Sequence, residues 1–126
     1  MNNFENPINI NILISELDNI LSRNDYNSAR DFLEKWVEIT QKQNDNKSLF
    51  SLCNECIGLY RKIGDKENCY KYCQKALDLL KVLNIENTVT GATAFLNCAT
   101  AYKAFAEAEK SISLFEKAVT LYESLL

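Results

Sequence analysis

Residues 95–122 read FLNCATAYKAFAEAEKSISLFEKAVTLY, and this stretch decides the fold. Small and apolar side chains recur every three or four residues, at Phe95, Cys98, Ala99 and Tyr102, then at Ser111, Phe115, Ala118 and Tyr122. Each set marks one face of an α-helix. Two such helices joined by a short turn make an antiparallel hairpin.

The same arrangement occurs upstream. Tyr60 and Ala76 lie 42 residues before Tyr102 and Ala118, and Ile20 and Trp36 lie 40 residues before Tyr60 and Ala76. The nine-residue interval from Tyr102 to Ser111 recurs from Tyr60 to Cys69 and from Ile20 to Ala29. A fixed period of this length marks a solenoid of helical hairpins. One hairpin cannot bury its own apolar face, so stability comes from stacking. Periodicity and breakers predict six helices, over 8–22, 26–42, 47–63, 66–83, 90–105 and 107–125. Gly64 suits the left-handed residue that closes a helix, and Asp65 suits the cap of the next. The expected fold is all-α, a right-handed solenoid of three antiparallel hairpins. It forms a single domain over 1–126 with units of about 10–49, 50–91 and 92–126.

Composition agrees. Of 126 residues, 47% are hydrophobic and 25% charged, which excludes disorder. One Pro and three Gly are too few for a β-rich fold. The net charge of −3 lacks the basic field that nucleic acid requires, and no apolar run is long enough for a membrane span. Met1–Asn6 shows no leader-peptide pattern. Five Cys, an odd number, do not fit a complete disulfide framework, so a reducing, cytoplasmic setting is expected. The abundant Asn is assigned to codon usage rather than to a functional tract.

The spaced residues resemble the tetratricopeptide repeat. The third unit carries Phe95, Cys98, Ala99 and Tyr102 followed by Ser111, Phe115 and Ala118. The second carries Cys53, Cys56, Ile57 and Tyr60 followed by Cys69, Cys73 and Ala76. The first carries Leu13, Glu16, Leu17 and Ile20 followed by Ala29, Leu33 and Trp36. Small residues at Ala29, Cys69 and Ser111 would let paired helices approach closely. Tyr60, Tyr102, Phe95 and Phe115 would fill the space between hairpins. The units are longer than the usual repeat and are similar to those of kinesin light chains and of bacterial tetratricopeptide regulators. Glu16 stands in a normally apolar slot. Ala106 stands where a turn Gly is usual, so a different turn is expected in the third hairpin. The resemblance implies a protein- or peptide-binding scaffold, not an enzyme, with no cofactor.

Hidden chemistry is limited. Without His, no Ser–His or Cys–His pair exists, and no Gly-rich phosphate loop is present. Cys53, Cys56, Cys69 and Cys73 fall on the two helices of one hairpin, and four thiolates there would suit zinc. Each also falls on a core slot, where reduced Cys is a small buried hydrophobe. The core role is preferred and zinc is kept as an alternative.

By the resemblance, the first helix of each hairpin lines the binding groove. The expected groove residues are Asn54, Arg61 and Lys62 from the second unit and Thr93, Leu96, Thr100 and Lys103 from the third. Asn11, Ile14, Asp18 and Leu21 extend it into the first. A mildly basic groove on an acidic protein suits an acidic peptide. The chaperone-tail clamp of some relatives is not expected, because its places hold Ile14, Asp18, Glu55, Thr93 and Asn97. A peptide-sensing regulator is a second reading. The stripe Ile112, Phe115, Val119, Tyr122 and Leu125 is expected to be covered by a second copy, a partner or further residues, and a homodimer through the C-terminal hairpin is the simplest closed solution.

Overall fold

The computed structural model describes residues 7–126; the Met1–Asn6 stretch read for a leader lies outside them. Six helices follow one another: α1 Ile10–Ser22, α2 Tyr26–Lys42, α3 Asn46–Ile63, α4 Lys66–Val82, α5 Val89–Ala104 and α6 Ala108–Leu125. No strand occurs among the described residues. The fold is therefore all-α, with three hairpins stacked in order. Within each hairpin the paired helices pack together, α2 packs on α3 and α4 on α5, and α3 also meets α5 directly.

Helix ends follow from local chemistry. The first helix was expected from Ile8 and begins at Ile10. There the Asn9 side chain accepts the backbone N–H groups of Asn11 and Ile12 and caps the helix. Every later turn runs through one left-handed residue. These are Asn24 (φ 58°), Asn44 (56°), Gly64 (81°), Asn84 (56°) and Ala106 (65°). Asn24, Gly64 and Ala106 are the turns inside hairpins, and Asn44 and Asn84 the turns between them. Asn and Gly accept this conformation readily. Three of the Asn residues assigned to codon usage thus have a structural task. Asp25, Asp45 and Asp65 follow, and each carboxylate accepts the backbone N–H three residues on at 3.1 Å.

The expectation for Ala106 is corrected. It does not turn differently but takes the same left-handed conformation as its counterparts, despite its Cβ. Glu107 follows it and makes no side-chain cap. The last hairpin keeps the repeat geometry with weaker local support.

Packing explains the small residues. Ala29 and Cys69 are fully buried and Ser111 nearly so. The Cys69 thiol donates to the Ile57 carbonyl at 3.4 Å, and the Ser111 hydroxyl to the Ala99 carbonyl at 2.9 Å. In both, the second helix lies directly on the backbone of the first. Ala76 and Ala118 are buried later on the same helices.

One polar network joins the first two hairpins. Glu34 on α2 accepts the Tyr60 hydroxyl from α3 and the Tyr72 hydroxyl from α4, the latter at 2.6 Å. The two rings stack at 5.8 Å. Burial, followed by the Glu34 contact, holds both phenols above their ordinary pKa. Between the second and third hairpins aromatic contact takes over, with Tyr70 against Tyr102 at 4.6 Å and Phe105 at 5.7 Å. Phe95 is buried as expected, whereas Phe115 is only half-buried.

Replacing Ala106 by Gly removes the cost of a left-handed Cβ. The variant is expected to be about 1 kcal/mol more stable in urea unfolding. Unchanged or lower stability would show that this turn is not left-handed in solution.

Candidate functional site

The first helices of the hairpins, α1, α3 and α5, share a face marked by three adjoining hollows. The first, about 200 Å³, has an apolar lining of Leu17, Leu21, Tyr26, Leu33 and Leu59 and is edged by Asn54, Glu55, Gly58 and Lys62. The second, about 390 Å³, gathers Asn11 and Ile14 from α1, Asn54 and Glu55 from α3, and Thr93 and Asn97 from α5. The third, about 220 Å³, lies between α3 and α5 and brings together Asn54, Gly58, Arg61, Leu96, Asn97 and Thr100.

Asn54 borders all three. Its amide donates to the Phe50 carbonyl at 3.0 Å, and its Oδ1 accepts from the Asn97 amide at 3.0 Å. This pair ties α3 to α5 on the exposed face and holds both carboxamides in fixed orientation. Thr93 bonds through its hydroxyl to the Val89 carbonyl at 3.0 Å and to the Tyr122 hydroxyl at 2.7 Å, which links α5 to α6.

Most residues expected from the sequence meet here. Asn54, Arg61, Leu96 and Thr100 share the third hollow, Thr93 borders the second, and Lys62 borders the first. Asn11, Ile14 and Leu21 join from α1. Lys103 and Asp18 are exposed and line none of the hollows. Gly58 was not singled out from the sequence. Its signal was a glycine inside an uninterrupted helical run, at the repeat position held by Asp18 and Thr100 in the other units.

The charges are arranged unevenly. Arg61, Lys62 and Lys103 make no ion pair among the described residues. Lys62 instead sits 5.6 Å from the centre of the Tyr26 ring. Glu55, on the α1 side, is half-buried, and burial first, then the Asp18 charge, raise its carboxyl above the usual range. The face is therefore acidic toward α1 and basic toward the C-terminal ends of α3 and α5.

The five cysteines take no part in this face. All are free and fully buried. Burial pushes the Cys53 thiol up to about 12 and holds that of Cys56 higher still. The Cys98 thiol points to the Cys73 carbonyl at 3.8 Å. Among the described residues, no group of three or more His, Cys, Asp or Glu is placed to hold a metal. The four thiols weighed for zinc are buried in the core. Nor is any described helix long and apolar enough to cross a membrane.

No family model matches this chain, and no curated protein matches it in sequence. Its fold is similar to that of BtubC (BKLC) from P. vanneervenii, with a TM-score of 0.80 at 16% identity. The match covers 91% of this chain and 47% of that one, so the chain spans about half the length of BtubC. At this identity the likeness is one of fold. It is a tetratricopeptide-like helical repeat resembling kinesin light chain.

The raised Glu55 pKa has a consequence for stability. Folding favours the protonated form, so the full stability is present below the unfolded carboxyl pKa, about 4.3, and part is lost as pH rises through the folded value. Glu55→Gln is expected to melt higher than the natural protein near neutral pH, and the difference should close toward pH 4. A difference that persists at pH 4 would mean that Glu55 ionisation is not its cause.

Proposed function

We propose that this chain is a protein-interaction module that holds an extended segment of a partner on the face formed by α1, α3 and α5. The observation that carries this reading is the convergence of three hollows on one face, where apolar linings, fixed carboxamides and unpaired cations lie side by side. Pockets that combine apolar lining with a few oriented polar groups suit ligand binding, and their succession along one face suits an extended chain. The complete lack of His and the burial of all five thiols leave few groups for nucleophilic chemistry. The fold likeness to a repeat protein supports the same reading.

Arg61, Lys62 and Lys103 favour an acidic segment. Rim charges of this kind act chiefly on encounter and orientation. Free thiols and acidic net charge fit a cytoplasmic setting. The proposal also includes self-association through α6, where Ile112, Val119 and Leu125 are 57%, 52% and 42% exposed and Phe115 and Tyr122 are half-buried. Exposed apolar stripes of this size are commonly interfaces.

Two measurements test the reading. Reversing charge at both Arg61 and Lys103 should reduce capture of an acidic partner in pull-downs while changing stability by about 0.5 kcal/mol or less. Equal capture by the double variant would remove these residues from the binding face. Light scattering at micromolar concentration should give a mass of twice 14.4 kDa; a monomer would exclude the dimer.

A further inference from the structure

The three glycines have different reasons to exist. Gly64 adopts φ 81°, where a side chain is strained. Gly91 lies against the Ile85 and Glu86 carbonyl oxygens, and an added Cβ would come within 2.5 Å of both. Gly58 has neither reason. It sits inside α3 with helical backbone, and an added Cβ would meet nothing within 4 Å. A mid-helix glycine weakens a helix relative to alanine, so the fold gains nothing from this one. What its missing side chain leaves is open space between two hollows. One has the Leu17, Leu33 and Leu59 lining on the α1 side; the other has Arg61, Leu96 and Thr100 on the α5 side. Gly58 and Asn54 are the residues that border both.

We infer that Gly58 is a saddle over which the main chain of a bound peptide crosses α3, seating an aliphatic side chain in the Leu17–Leu33–Leu59 hollow and directing an acidic side chain toward Arg61. The occupant is thus an extended peptide with an aliphatic anchor and a nearby acidic residue. Charge fixes its direction across α3. The first hollow is edged by both Glu55 and Lys62, whose charges offset each other, whereas Arg61 borders the second with no carboxylate in its lining and without an ion pair among the described residues. The volume of the first hollow, about 200 Å³, admits an aliphatic side chain. In the other units the position of Gly58 is held by Asp18 and Thr100, so only α3 offers this crossing. The inference rests on the interaction-module reading and adds the crossing point, the anchor chemistry and the direction.

The test uses random linear peptides displayed on phage, selected on the natural protein, then synthesised and measured by fluorescence polarisation. The expected binders carry an aliphatic residue and a nearby Asp or Glu. Gly58→Gln should weaken them about tenfold or more, while melting at the same or a higher temperature because glutamine favours the helix. Gly58→Ala should also melt higher, with a smaller loss of binding. Arg61→Glu should weaken binding of the same peptides but not of versions in which the acidic residue is changed to Asn or Gln. Binders held equally by Gly58→Gln and the natural protein would overturn the saddle while leaving the interaction module intact. Binders without acidic residues would overturn the assigned direction. If selection yields no binder, the interaction-module reading falls and the saddle with it.

Discussion

The structure depends on the close approach of two helices at one small residue. Where Cys69 meets the Ile57 carbonyl and Ser111 meets the Ala99 carbonyl, a second-helix side chain rests directly on first-helix backbone. A larger residue at either place, or at Ala29, would push the hairpin open, and dense interiors do not absorb such volume. Once the hairpin is closed, its apolar stripes form a common surface for the next. The left-handed turn residues at Asn24, Gly64 and Ala106 keep the same relative position in every unit because the helices they join are fixed by this contact.

Stacking is achieved differently at the two joints. The first uses a polar network, in which Glu34 receives two tyrosine hydroxyls beneath stacked rings. Such a network fixes register strongly, because loss of Glu34 would strand two buried donors. The second uses aromatic contacts around Tyr70, which packs against Tyr102 and Phe105. The second joint is therefore specified mainly by shape, and the Asn54–Asn97 bond adds a polar link between α3 and α5. These joints hold α3 and α5 in fixed relation, while α1 is held through its packing on α2.

The cysteines illustrate how one residue type can serve packing alone. Four of the five lie in the middle hairpin, and all occupy positions where a small, polarizable group fits between helices. Burial raises the Cys53 and Cys56 thiols, and contact with Cys73 followed by burial raises that of Cys69, which suppresses the thiolate that metal binding and oxidation require. Spacing along the chain allowed a metal site; in the fold all four occupy core positions, and no metal-holding group forms among the described residues.

The sequence by itself determined the helices, their pairing and their stacked order, because helical periodicity and a 40- to 42-residue repeat are one-dimensional properties. It also put most of the residues that border the hollows on one side, since residues at fixed repeat positions point the same way on equivalent helices. Tertiary structure alone decided what depends on distance between units. It showed that Ala106 takes the same left-handed turn as Gly64, because the packed hairpin overrides the local preference of alanine. It showed that Glu34, unremarked in the chain, lies where Tyr60 and Tyr72 converge from two other helices. It placed Lys103 outside the hollows and left Phe115 half-exposed. And it separated Gly58 from Gly64 and Gly91, since whether a glycine serves a turn, a close approach or an open space is a question of which atoms surround it.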